Sequence, residues 1–497
     1  MSISGIGLKS SYLTSSLLNV RSQLEDLQQQ LSTGKISTTY AGLGAGRGVA
    51  VSLRAQISSM SAYADTITNV NTRINVASTA LSRMSKIGDE VKGSVLSASN
   101  LTLDNSGQTA SQKAAQSSLA EMLQLLNVRA GDRYLFSGRT IDKAPVASSS
   151  DILDGAGGKA GLKQVIAERR QADLGADGMG RLAVAAPTTT SVSLSEDVAG
   201  SPFGLKLTAV SSSLTGATAT GPAGSPPSIS VDLGAVNPND GEKVSFNFTL
   251  PEGSSETIEL TATTKSPAPS GSFTIGTTSA DTATNLKTAL TSAVSSLANG
   301  ALVAASAMTA SNNFFGSPPM RVGSSPASSA TTLVDGSATT VQWYTGEDGV
   351  DPARGTAVAR VDDSITVQYG ARANEQALRW QLQNVAVYAA VTTSTTDPNA
   401  TAQVTALNQR VAKNLATQSG QQSIEEMQAD LAGAQSAMKA AGDRQTQMKS
   451  TAGAMLDSIE GVNDEEVITK ILALQTNLQA SYQTTAMLYQ TTLLNYL

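Results

Sequence analysis

Between Leu13 and Leu31 apolar residues recur at Leu13, Leu17, Val20, Leu24, Leu27 and Leu31. Spacings of four and three put all six on one narrow stripe of a helix, the a/d seam of a coiled coil. Ser15, Asn19, Arg21, Gln23, Glu25, Gln28 and Gln29 fill the other faces. Ordering about 20 residues costs roughly 1–2 kcal/mol each, whereas an apolar side chain returns at most about 1.5–3 kcal/mol even when fully buried. The helix therefore needs a partner. The far end of the chain offers one, a second stripe of Val467, Ile471, Leu474, Leu478, Tyr482, Ala486, Tyr489 and Leu493. The pattern predicts that everything between brings these two terminal helices together.

After Leu31 a glycine-rich segment, with glycines at 42, 44, 46 and 48, reads as a flexible connector. Its spacing fits neither a dinucleotide fingerprint nor a Walker loop. Leu53, Met60, Ile67, Ile74 and Leu81 then stand seven apart, beside a second series of Val70, Ala77, Met84 and Val91. More than three heptads predict a helix of about 45 residues, ~65–70 Å long. A turn at Asn105-Ser-Gly107 leads to a third helix carrying Leu119, Met122, Leu123, Leu126 and Val128 and ending near Gly131. A short strand-like run from Gly131 to Thr140 follows.

From about 145 to 360 Ser, Thr, Gly and Pro dominate. Val244, Phe246, Phe248 and Leu250 alternate with polar residues, as do Ile258, Leu260 and Ala262, with Pro251-Glu-Gly253 between them. That reads as a β-hairpin. Phe273-Thr-Ile275 predicts another strand, and Leu286, Leu290, Val294 and Leu297 share one face of a helix over 282–297. Helical periodicity returns at Trp380, Leu382, Val385 and Tyr388 and continues as one long amphipathic segment from Val404 to Ile459. Asp464, Glu465 and Glu466 mark the start of the last helix, where acids complement the exposed amides and the macrodipole.

Chemistry is sparse along this frame. The chain has no cysteine and no histidine, which removes disulfides, thiolate nucleophiles, Cys/His zinc sites and imidazole bases. Asp362 and Asp363 read as a turn or solvated strand edge, since neighbours on a strand point to opposite faces. Met427, Met438, Met448 and Met455 read as filler of a helical core. No catalytic residue, metal ligand or cofactor is predicted. Lys plus Arg total 34 against 40 Asp plus Glu, a net charge of −6, so nothing favours nucleic acid or an anionic membrane. No apolar run approaches the ~20 residues of a membrane span. The N-terminus lacks a basic start followed by an apolar core, so no signal peptide is expected. The chain either stays in the cytoplasm or leaves by a route that needs no such signal.

The order of a heptad helix ending in Gln-Leu-Ser-Thr-Gly-Lys35, a loop, a long helix, a third helix and Arg133-Tyr-Leu-Phe-Ser-Gly138 resembles the N-terminal half of the bacterial flagellin superfamily. The ending through Leu478 to Leu493-Leu-Asn-Tyr-Leu497 is similar to its C-terminal half. The resemblance covers roughly 1–142 and 361–497. Tyr134, Leu135, Phe136 and Gly138, with Asn374 and Glu375 in the return segment, look more like the hook-filament junction branch, among the hook-associated proteins, than a bulk filament flagellin. The connector Tyr40-Ala-Gly-Leu-Gly44 replaces the usual flagellin pattern there.

The fold class expected is α+β, a long-helix coiled-coil bundle made from both termini with β-rich domains inserted in the middle. The expected divisions are 1–40, an assembly helix that joins 463–497; 41–144 and 361–462, the two halves of a helical rod; and 145–360, an outward-facing insert. The resemblance implies a non-enzymatic subunit of the flagellar axis, assembling through coupled folding of its terminal helices. It further implies copies of itself and other axial proteins as partners, export by the flagellar apparatus with a cytoplasmic chaperone, and an extracellular place. Position at the junction is favoured, a filament-forming flagellin is the alternative, and a surface adhesin on a helical stalk is a further one. The adhesin would need an aromatic or acidic patch within 145–360, where Trp343 and Tyr344 are available. A coiled-coil protein of an injection apparatus would need none of the signature residues.

Overall fold

The computed structural model describes residues 4–97 and 101–494. Three helices open the chain: α1 (Ser4–Thr33), α2 (Arg47–Leu96) and α3 (Ala110–Leu126). A small hairpin follows, β1 (Arg129–Ala130) and β2 (Arg133–Tyr134), then α4 (Ser149–Asp154), β3 (Gly155–Ala156), β4 (Lys159–Ala160) and α5 (Leu162–Leu174). Eight strands come next: β5 (Leu182–Ala185), β6 (Ser191–Glu196), β7 (Lys206–Ser212), β8 (Thr218–Ala223), β9 (Ser228–Asp232), β10 (Lys243–Thr249), β11 (Ser255–Thr263) and β12 (Ser272–Thr274). Helices α6 (Ser279–Leu297) and α7 (Val303–Phe314) lead to β13 (Met320–Val322), β14 (Leu333–Asp335), β15 (Val358–Arg360) and β16 (Thr366–Gln368). The chain ends in α8 (Gln376–Ala390), α9 (Ala400–Asn414), α10 (Ile424–Glu460) and α11 (Asp464–Leu494). The class is α+β, with long helices at both ends and antiparallel sheets between.

The chain forms two compact units. The first comprises Met1–Val70, Ala359–Val367 and Gln435–Leu497, the second Asn71–Val358 and Gln368–Ala434. In the first unit α1 ends at Gly34, whose φ of +66° is the left-handed conformation that terminates helices without a Cβ penalty. The residues after it pair with the α10–α11 connector: Ile36 N donates to Glu460 O at 2.7 Å and Val462 N to Gly34 O at 3.2 Å. Leu53, Met60, Ile67 and Val70 of α2 are buried, as are Met438, Ala441 and Ala452 of α10. Gly442 of α10 faces Ile67 of α2, where a Cβ would sit in ordinary contact 3.8 Å from Ile67 Cδ1. Between β15 and β16, Asp362 and Asp363 occupy a turn. Arg444 pairs with Asp362 at 3.3 Å and Tyr63 donates to Asp363 at 2.8 Å.

In the second unit Ile74, Leu81, Met84 and Ile87 of α2, Leu119, Met122 and Leu126 of α3, and Leu378, Leu382 and Val385 of α8 are all buried. Helix α3 starts with a capping box of Thr109 and Gln112 and ends at Leu126, before the predicted Gly131, which instead turns the β1–β2 hairpin. Glutamines at and just before its start close another helix. Gln108 Nε2 donates to Ala389 O at 2.8 Å, and Gln112 Nε2 to Val391 O at 3.0 Å. They thereby satisfy carbonyls at the end of α8 that a helix terminus leaves unpaired. Gly88 of α2 is a contact site. A Cβ there would collide with the amide of Gln381 from α8, which donates to Met84 O.

The middle region leaves and rejoins this helical part at one place, where Val146 bridges Tyr344 in antiparallel fashion and Ala147 N donates to Trp343 O at 2.9 Å. Within it, sheets ordered β12-β11-β10-β7 and β5-β6-β9-β8 share one core with α6, centred on Leu194, Ile229, Phe246, Phe248, Leu286 and Leu290. The β10–β11 hairpin forms as its alternation predicts, Phe246 opposite Ile258, and β12 pairs with β11 in parallel.

Three expectations need correction. The middle region is rich in antiparallel sheets and holds more helix than the one predicted over 282–297. Helix α5 is part of it, with buried Arg169 paired to Asp173 at 2.8 Å, and α6 runs through a π turn at Ala298–Leu302 into α7. The α6–α7 stretch, Ser279–Phe314, is long and apolar enough to cross a membrane, although no apolar span was expected. Here its Leu286, Leu290, Leu302 and Phe314 are core residues. The segment from Val404 to Ile459 is two helices, not one. A loop over 415–423, with Gly420 at φ +76°, separates α9 from α10. The methionine series divides as well. Met427 and Met438 are buried, but Met448 and Met455 are exposed on α10.

Candidate assembly surface

Helices α1 and α11 pack on one another, and because the chain leaves α1 beside the residues that begin α11, they run antiparallel. Leu27 and Gln30 line one groove with Lys470 and Leu474. Of the α1 stripe, Leu17, Val20, Leu24 and Leu27 are half-buried and Leu31 is exposed at its edge. The Leu13 side chain lies outside the described residues. Helix α11 begins with the Asn463 carboxamide accepting from Glu465 N at 3.0 Å and Glu466 N at 3.3 Å, and Glu466 pairs with Lys470 at 2.7 Å. The acids stand in the first turn of α11 as expected, but Asn463 is the side chain that takes the amides.

On α11, Val467 and Ile471 are buried and Leu474 and Leu478 half-buried, and the covered line continues through Ser481 and Thr485. Tyr482 is off this line and 56% exposed. The predicted stripe took a second consecutive step of four at Leu478, and each such step advances about 40° beyond a full turn. It thus crossed from one seam to the next. The second seam is Ile468 and Leu472 (58% exposed), then Gln475 and Gln479, then Tyr482 and Ala486, all exposed. Tyr489 and Leu493 would extend it, but their side chains lie outside the described residues. The doublets Val467-Ile468 and Ile471-Leu472 were the readable signal, since adjacent apolar residues repeated after four positions make a two-sided helix. Two helices cannot cover both sides. Exposed Leu18, Met448 and Met455 add to the apolar surface of this unit.

A buried carboxylate fixes the ends of this pair. Glu460, 5% exposed, accepts from Arg54 Nε at 3.0 Å and Nη2 at 2.5 Å, and Lys35 Nζ lies 3.7 Å away. The Arg54 hydrogen bonds hold Glu460 below the ordinary carboxylate range, against the opposing effect of burial. Tyr40, from the connector, lies under the Arg54 guanidinium at 5.5 Å. The connector is not merely flexible. Residues Tyr40–Gly46 form a short helical turn, broken at Gly44, whose φ is +53°.

In the second unit the residues that carry the resemblance in the two halves of the chain meet. Ala373 N donates to Phe136 O at 2.8 Å and Gly138 N to Ala371 O at 3.2 Å, with Ser137 bridging Arg372. Phe136 is fully buried, and Tyr134 and Leu135 are half-buried beside it. Gly138 has φ +68°, and a Cβ there would press on Glu347. Glu375 takes Arg354 at 2.5 Å, and Asn374 Nδ2 donates to Asp348 at 3.1 Å. Their role is that of a clasp between the outgoing and returning chain.

Among the described residues no group of three or more acidic side chains is arranged to hold a metal ion. No curated protein matches the chain. Residues 8–140, from α1 through the Tyr134–Gly138 clasp, match the family model of the bacterial flagellin N-terminal helical region.

Proposed function

We propose that this protein is a subunit of the bacterial flagellar axis, placed at the hook-filament junction, that assembles through the terminal helices α1 and α11. The observation that carries the reading is the uncovered second seam of α11, Ile468, Leu472 and Tyr482, on a helix whose first seam α1 already covers. Apolar rows of this kind are left exposed where another helix is to be received. Copies of the same chain and other axial proteins supply that helix. The monomer leaves the cell through the flagellar export apparatus, with a cytoplasmic chaperone over the α11 seam until then. The resemblance of Tyr134–Gly138 and of Asn374 and Glu375 to the junction branch supports the position. The size of the middle region favours the second reading, a filament-forming flagellin whose insert coats the outside.

Replacing Leu472 and Tyr482 together with Asp is expected to leave the monomer's helix content within a few per cent of the parent while abolishing incorporation into seeded filaments, scored by electron microscopy. A double variant that polymerises normally overturns the seam assignment. Gold-labelled antibody on intact flagella decides the position. A band beside the hook supports the junction, and label along the whole filament makes it a flagellin.

A further inference from the structure

Beside the clasp, where the middle region rejoins the helical part, lies a recess of about 250 Å3. Its inner wall is aromatic: Phe315 and Trp343 have ring centroids 5.1 Å apart, and Trp343 and Tyr344 5.6 Å apart. Trp343 is fixed by its indole N–H, which donates to Phe315 O at 3.2 Å. Gly346 is needed beside the Tyr344 ring, because a Cβ there would lie 2.6–2.9 Å from the ring and its hydroxyl. Three charged side chains complete the lining: Lys143, Arg379 and Asp348.

The two cations are unlike most others in this protein. Arg83, Arg139, Arg354 and Arg410 all hold carboxylates, but the side chains of Lys143 and Arg379 have no hydrogen-bond or ion-pair partner among the described residues. Asp348 is held in place. One of its oxygens accepts from Ser317 Oγ at 2.7 Å and the other from Asn374 Nδ2 at 3.1 Å. A carboxylate has about four acceptor positions, so about two remain open.

We infer that this recess binds a sugar acid, a single ring bearing hydroxyls and one carboxylate. Each component answers to one part of the lining. Arg379 and Lys143 take the carboxylate, for which the guanidinium fork is geometrically suited. The free acceptor positions of Asp348 take ring hydroxyls. The apolar face of the ring lies against Tyr344, the half-buried member of that wall, behind which Trp343 and Phe315 are buried. The volume sits below the ~300–1,000 Å3 of sites for drug-sized ligands, so it accommodates one ring and not a chain. An inorganic anion has no use for the aromatic wall and no hydroxyl to offer the open acceptor positions of Asp348. A neutral sugar leaves both cations unused. None of this depends on how the terminal helices assemble.

Saturation-transfer NMR on the full-length monomer tests it, with D-glucuronate as probe, D-glucose as its neutral counterpart and glycine as a zwitterion. Saturable transfer to the glucuronate ring protons is expected, with glucose at least ~10-fold weaker. Lys143→Gln, at an exposed position where folding is not at stake, and Arg379→Gln should each weaken glucuronate about 10-fold. Asp348→Asn should weaken it several-fold. Absence of saturable transfer overturns the inference, as does equal binding of glucose, stronger binding of glycine, or glucuronate binding that survives both cation substitutions. Sulfate that displaces glucuronate stoichiometrically at equal concentration would also overturn it, by showing a bare anion site.

Discussion

Single residues in this protein act mainly as fasteners between distant parts of the sequence, and Glu460 shows it most clearly. Its carboxylate joins Arg54 and Lys35 at the ends of the paired terminal helices. Because the folded group is held below the ~4.3 of an unperturbed Glu, its contribution is complete above that value and is lost as pH falls through it toward the lower folded value. Urea unfolding followed across pH should therefore show the parent losing stability below about pH 4.5. Glu460→Gln should be less stable than the parent at pH 7, by ~1–2 kcal/mol given that Arg54 is partly solvated, and should lose less on acidification. An acid loss identical to the parent's would remove Glu460 from the explanation. Nothing local in the sequence marked this residue. Its partners are about 400 positions away, and a glutamate at the end of a helical pattern reads as solvated. The signature stretches were legible for the opposite reason. Phe136, Gly138 and Glu375 belong to motifs, although only the folded chain shows that the two motifs bond to each other.

Among the elements, period and capping decided what could be read. The a/d rows located the end of α1 near Thr33 and the body of α2, although α1 begins at Ser4, well before Leu13, and the 2-residue alternation located β10 and β11. Helix α5 escaped because two of its core-facing positions are Arg169 and Asp173. A buried ion pair breaks the apolar row on which the reading relies. The break before α10 was readable in Ser423-Ile-Glu-Glu426. Ser423 Oγ accepts from Glu426 N at 3.1 Å and Glu426 Oε2 from Ser423 N at 3.2 Å, a capping box. Pairing between α1 and α11 is the element on which the proposed assembly rests, and its half-buried seam predicts marginal stability in the monomer. Replacing Leu24 and Leu27 with Asp should abolish assembly while the middle region stays folded. Circular dichroism should likewise show less helix in the free parent monomer than in the polymer. Equal helicity in both would remove the coupling between folding and assembly.

For the second unit taken whole, the middle region is less separable than its composition suggests. Helices α5 and α7 pack against one another and against α8, and Ser311 Oγ donates to Gln383 O at 2.9 Å. Helix α8 is buried on nearly every side, from Leu378 to Ala390, because α3 covers one face and α7 and α9 others. Unfolding should accordingly be shared. With Trp343 in the middle region and Trp380 in α8, single-tryptophan variants Trp380→Phe and Trp343→Phe should report denaturation midpoints that coincide. Midpoints that part clearly would show the middle region folding as a domain of its own.

The two seams of α11 have a geometric consequence. Offset by one residue, they face directions about 100° apart. A helix gripped along opposite sides, 180° apart, can only extend a flat raft. One gripped along lines nearer a right angle turns each successive neighbour through a corner, and a repeated corner closes into a tube. In the proposed assembly, the curvature follows from the register of Val467-Ile468 and Ile471-Leu472, one residue of offset between two rows of side chains.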